Sequence, residues 1–101
     1  KMLPLELLQI WSNIEPKGEL PIDQLMPIRK WILKESKEHD YVLIQGEFGA
    51  TFYLVDYCFN IKRVPIYATS IRQVEEKAED DITITNRTFK HVNFRKYVKY
   101  L

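Results

Sequence analysis

The sequence predicts an α/β fold: a parallel sheet with flanking helices and a C-terminal β-hairpin. Three observations lead there. Two segments near the N-terminus repeat their apolar residues with helical period. The run YVLIQ at residues 41–45 is almost wholly apolar, as strands inside a parallel sheet are. A second short apolar run, VPIYA at residues 64–68, follows one helix-length stretch later, which makes a right-handed strand–helix–strand unit.

Taken in order, Pro4 opens the first helix, with Leu7, Trp11 and Ile14 at i, i+4 and i+7. Pro16, Lys17 and Gly18 end it. A second helix starts near Asp23, a suitable N-cap, and carries Leu25, Ile28 and Ile32 on one stripe. Pro27 is expected in its first turn, where a missing N–H costs little. His39 and Asp40 close it, His39 as a cation beside the negative end of the helix dipole. Residues 41–45 lack the alternation of a half-covered strand, so they are placed inside the sheet with helices on both faces. Gly46, Glu47, Phe48 and Gly49 then make a tight turn. A helix follows over residues 50–61, with Asp56 its only charge and Asn60 near its end. So apolar a helix points to burial, or to a second subunit. Residues 71–78 and 82–89 flank the acidic cluster Glu79, Asp80 and Asp81 and read as a hairpin, with a short helix over residues 72–77 as the competing reading. From residue 86 onward Arg87, Lys90, Arg95, Lys96 and Lys99 interleave with Phe89, Phe94, Tyr97 and Tyr100, and no acid appears.

Composition bounds the function. The 101 residues make one domain, 46% hydrophobic, 29% charged and 13% aromatic. That is a globular composition, not a disordered one. A net charge of +1 argues against a general nucleic-acid coat and against long nucleic acid as a partner. The apolar runs are too short for a membrane span. The lone Cys58 can form no internal disulfide and fits a reducing cytoplasm.

In open α/β sheets, ligands bind beyond the carboxyl ends of the strands. That edge is expected to hold Gln45, Gly46, Phe48, Gly49, Ala50 and Thr51 from one turn, and Thr69, Ser70 and Arg72 from the next. Free N–H groups at the start of a helix favour a phosphate, and the two glycines permit close approach. Neither the dinucleotide fingerprint nor a P-loop is present, Glu47 disfavours a phosphate directly beside it, and a plain tight turn is the competing reading. The basic, aromatic C-terminal stretch could clamp a polyanion or stack bases. The alternative is that its aromatics pack on the core while its charges face water. His91 is a candidate general acid or base, with a structural histidine as the alternative. No metal site is expected, and Cys58, Trp11 and Trp31 read as packing residues.

The segments YVLIQGEFGATFY (residues 41–53), VPIYAT (64–69) and FKHVNFRKY (89–97), with LPLELLQIWSNI (3–14), resemble one family. The chain is similar to the small CRISPR-associated proteins of type III systems that act as stand-alone ring nucleases. The resemblance covers residues 3–97. It implies a single Rossmann-like domain of the CRISPR-associated kind (CARF-like). It implies a homodimeric cytoplasmic enzyme that binds cyclic oligoadenylate, the antiviral second messenger, and cleaves it without metal or cofactor. Cyclic tetra-adenylate is the expected ring. Carried over by position, residues 46–51 hold a ring phosphate. Gln45 and Thr51 add side-chain hydrogen bonds, and Thr69, Ser70 and Arg72 line the same pocket. His91 and Arg95 match the family's motif, with His91 and Arg72 the expected catalytic pair. A non-catalytic protein that sequesters the messenger is the alternative. Family members carry a further strand and loop ahead of the LPLELLQIW text, so a domain lacking them is expected here.

Overall fold

The computed structural model describes residues 1–79 and 82–99, with side chains described outside residues 75–87. Asp80 and Asp81, and the side chain of Glu79, expected at the hairpin's turn, therefore lie outside the described set, as does Tyr100. The chain runs α1 (Leu5–Ser12), α2 (Ile22–Glu35), β1 (Tyr41–Leu43), α3 (Phe48–Asn60), β2 (Val64–Glu79), β3 (Ile82–Lys96). Among the described residues the architecture is mixed α/β, with three helices and a three-stranded sheet ordered β1-β2-β3.

The helices form where the apolar period puts them, except that α1 ends at Ser12, short of Ile14 and of the expected stop at Pro16. Leu25, Ile28 and Ile32 are the buried stripe of α2. Pro21, not Asp23, takes the N-cap position, and Asp23 sits in the first turn, where its charge suits the dipole. Pro27 lies inside α2 rather than in its first turn, so the Asp23 carbonyl loses its i+4 donor. His39 is not at a helix end. It stands beyond α2 with φ 71°, and its N–H donates to the Lys62 carbonyl at 2.7 Å. α3 begins at Phe48, two residues earlier than expected, and Ile61 rather than Asn60 is its C-cap. Ala50, Leu54, Val55 and Cys58 of α3 join the α2 stripe and Ile44 to make one core. Arg63, nearly buried, ties the ends of α2 and α3 together. It donates to the Leu33, Ser36 and Ile61 carbonyls and to the Ser36 hydroxyl. A guanidinium among carbonyls at two helix ends is both satisfied and favoured by the dipoles.

The sheet departs from expectation in three ways. First, it is mixed: β1 and β2 are parallel, β2 and β3 antiparallel. Second, β1 is an edge strand, not an interior one, and Tyr41 and Leu43 are exposed. The interior place belongs to β2, and Pro65 can occupy it because its missing N–H falls where the β3 ladder begins. Its carbonyl accepts from the Tyr97 N–H at 3.0 Å. Third, the helices bury one face only. Side chains alternate, so the register places Val42, Ile44, Pro65, Tyr67 and Tyr97 on the helix-backed face. Tyr41, Leu43, Ile66, Ala68, Phe94 and Lys96 lie on the other, which no described element covers.

The hairpin is present but longer than expected. The strand over residues 64–68 does not end at Ala68. It continues without a break to Glu79, which excludes a short helix over residues 72–77. Beyond Ser70 only β3 accompanies it, and the described side chains of both strands are exposed there. This two-stranded ribbon projects from the body. The radius of gyration is 17.8 Å and the extents are 57 × 30 × 29 Å, whereas a compact chain of this length has a radius near about 13 Å. One irregularity interrupts the ladder. Thr69 faces Asn93 but Ser70 faces His91, so Val92 is an extra, unpaired residue, a β-bulge.

Candidate functional site

Between β1 and α3 the chain turns through Gln45, Gly46 and Glu47. The Gln45 side-chain oxygen accepts from the Ala68 N–H at 3.0 Å, which carries the ladder one step past β1. Its main-chain carbonyl accepts from the Trp11 indole N–H at 3.1 Å. That indole lies so close that a Cβ on Gly46 would meet it at 2.8 Å. Close packing against Trp11 therefore suffices to require glycine at position 46.

The phosphate cradle expected at the start of α3 is filled from within. Glu47 is the N-cap, and its carboxylate accepts from the Gly49 and Ala50 N–H groups. A side-chain anion thus occupies the place that the dipole and the orphan N–H groups offer to a ligand. A Cβ at Gly49 would press on that carboxylate at 3.2 Å.

A cavity of about 350 Å³ opens next to this turn on the helix-backed side of the sheet, lined by Gln45, Gly46, Phe48, Thr51, Tyr67 and Tyr97. The two tyrosine rings lie 4.8 Å apart at 52°. Tyr97 is held by donating its hydroxyl to the Ile44 carbonyl at 2.6 Å. Burial, with Tyr67 adding to it, pushes the Tyr97 phenol above its ordinary pKa, so it stays a neutral donor. The Thr51 hydroxyl is buried without a hydrogen-bond partner among the described residues. An orphaned buried hydroxyl is costly, and this one belongs to a residue that lines the cavity. Phe48, 94% exposed, stands at the rim. Aromatic walls and one orphan hydroxyl suit a flat, hydrogen-bonding group such as a nucleobase.

The remaining expected site residues separate by face. Register puts Arg95 opposite Tyr67 and Thr69 one pair further out, on the cavity's side. The Thr69 hydroxyl donates to the Asn93 carbonyl at 3.1 Å. Ser70, Arg72 and His91 lie on the bare face, where the His91 ring sits 4.8 Å from Phe94. So Gln45, Gly46, Phe48, Thr51, Thr69 and Arg95 share a side, and the expected catalytic pair does not share it with them. Tyr67 and the capping Glu47 were not among the expected site residues. Alternation from Pro65 would have placed Tyr67 on the face of α3 once that face was known.

Cys58 is fully buried, and burial pushes its thiol up to about 11, so it is no nucleophile. A larger, mostly apolar cavity of about 660 Å³ lies along the open edge of β1, between Leu8, Trp11, Trp31 and Leu43. None of the expected site residues lines it. No helix among the described residues is long and apolar enough to cross a membrane.

Fold and cavity together define a small mixed α/β protein with an open cavity at a strand-to-helix turn. The chain belongs to the family described as "Uncharacterized protein MJ1673 family", whose model matches residues 1–95. A Methanocaldococcus jannaschii protein described as "Uncharacterized protein MJ1673" is 44% identical over 98 residues. The match covers 97% of this chain and 76% of that protein. No solved structure matches.

Proposed function

We propose that the protein is a metal-independent ring nuclease of Rossmann-like (CARF-like) build. It binds cyclic tetra-adenylate in the cavity beside Thr51 and opens the ring, ending type III CRISPR signalling. The orphaned Thr51 hydroxyl in a tyrosine-walled cavity is the observation that carries the binding half of this reading. An adenine enters between Phe48 and the Tyr67–Tyr97 pair, and its ring nitrogens meet the Thr51 hydroxyl. Arg95, opposite Tyr67 on the same face, meets a ring phosphate.

Cleavage needs little machinery. The ribose 2′-oxygen bonds to the adjacent phosphorus and the bond from phosphorus to the 5′-oxygen breaks. The 2′-OH proton leaves to a base, and the 5′-oxygen takes up a proton. The products are a 2′,3′-cyclic phosphate and a free 5′-OH. In-line orientation and stabilisation of the developing negative charge supply most of the acceleration. His91 and Arg72, on the bare face, reach the ring from a second copy, so the working unit in this reading is a homodimer.

Two observations favour the alternative, a protein that sequesters the ring uncut. The Gly49 and Ala50 N–H groups are already taken by Glu47, and the expected catalytic pair lies on the opposite face from the cavity. Incubation with cyclic tetra-adenylate in EDTA, followed by chromatography, separates the two. Linear products ending in a cyclic phosphate establish the enzyme. Bound but intact ring establishes sequestration. Absence of binding removes both. Thr51→Val should weaken binding about fivefold to tenfold, the loss of one hydrogen bond in a buried site.

A further inference from the structure

We infer that the bare face of the sheet and its ribbon, in a copy whose His91 and Arg72 are not engaged at a second copy's cavity, binds single-stranded nucleic acid, at a place distinct from the cavity beside Thr51. Among the described C-terminal aromatics, Tyr97 packs on the core and the two phenylalanines do not. Phe89 is 74% exposed and Phe94 is 55% exposed. The bulge at Val92 brings Phe89, His91 and Phe94 onto one face, with His91 and Phe94 in ring contact. Arg72 pairs with Phe89 across the ladder, and Lys96 lies next in the row, its ammonium 5.9 Å from the centre of the exposed Tyr41 ring.

The charges on this face select the occupant. Among the residues with described side chains it carries Arg72, Lys96 and His91, and further out the register puts Arg87 and Glu76 in the same rows, so cations outnumber acids along it. Two copies laid face to face over Arg72, His91 and Lys96 would therefore bring cations against cations. A single strand presents the complement: phosphates for Arg72 and Lys96, and base faces for Phe89, His91 and Phe94. Stacking of bases on exposed aromatics, with cations tracking the backbone, is how sheet surfaces hold single strands without reading sequence. The net charge of +1 conceals this local excess because it sums cations and acids over the whole chain. The site spans a few nucleotides, so a short strand suffices to test it.

The test uses fluorescein-labelled deca-deoxythymidylate, which has no 2′-OH and cannot be cut by the transesterification above. Fluorescence anisotropy should rise saturably with protein, and the affinity should fall as salt increases. Phe89→Ala and Phe94→Ala should each weaken binding about tenfold, the loss of one stacking platform. Lys96→Gln should weaken it and flatten the salt slope by about one phosphate contact. Circular dichroism must show each variant folded, and Lys96→Gln serves if an aromatic variant does not fold. Binding that is absent, or unchanged in all folded variants, overturns the inference. So does a dimer in sedimentation that Phe89→Ala dissociates, because the face would then be a self-interface. Thr51→Val should leave deca-deoxythymidylate binding unchanged, so failure here and failure of the ring-binding reading are distinguishable.

Discussion

Between Val64 and Ala68, β2 lies between β1 and β3 with α3 packed on one face; from Ser70 outward it has β3 alone. The β3 ladder runs through both stretches, and β1 adds a second ladder in the first. Burial differs more. In the first, Pro65 is fully buried and the core residues of α2 and α3 lie close by. In the second, Ile71, Val74 and Phe89 face water. Strand pairing and β propensity shape both halves, but only the first gains from apolar burial. A two-stranded ribbon alone is marginally stable. It follows that the body carries the stability.

Substitutions can break that division. Leu25→Ala, in the middle of the core, should cost about 3–5 kcal/mol in urea denaturation, while Val74→Ala on the ribbon should stay within about 0.5 kcal/mol. Similar losses at the two positions would show that the ribbon is packed in solution. The next effect is on pH. Cys58 is buried neutral, its thiol pushed up to about 11 from an ordinary 9.0. The folded form therefore holds its proton where the unfolded form releases it. The associated stability is complete below pH 9 and is lost as pH rises towards 11, by about 2 kcal/mol. Thermal denaturation of wild type and Cys58→Ala across that range checks it, since the alanine variant should lack this loss. Smaller still, Tyr97→Phe leaves the Ile44 carbonyl without its donor and should cost about 1–2 kcal/mol. Phe89→Ala, exposed on the ribbon, should change stability by no more than about 0.5 kcal/mol. A larger loss at Phe89 than at Tyr97 would reverse the comparison.

Much of the body is legible in the residues. The stripe Leu25, Ile28, Ile32 and the apolar run into Gln45 identify α2 and β1, because burial on one side imposes a period. The position of β1 in the sheet is not legible: an apolar run signals burial without saying by what, and Tyr41 and Leu43 are apolar yet exposed. The continuity of β2 was hidden because Thr69 and Ser70 look like the end of a strand. At the site, the turn from Gln45 to Thr51 could be read from its small residues and its place before a helix. That Glu47 folds back onto the Gly49 and Ala50 N–H groups depends on a side-chain rotamer, which spacing does not encode. The separation of Thr69 from Ser70, Arg72 and His91 followed once the strand was seen to run on, since neighbours along a strand point to opposite sides.

The bulge at Val92 works as a phase slip. Along β3 the residues sharing the bare face fall at 89, 91, 94 and 96, a row that changes parity midway. Read with strict alternation, the row breaks into two halves on opposite sides. Removing Val92 would straighten the ladder and still leave every remaining side chain on its present side. Keeping Val92 but forcing regular pairing would send Phe89 and His91 to one side and Phe94 to the other. One unpaired residue therefore sets whether the ribbon has a single coherent surface or two unrelated ones.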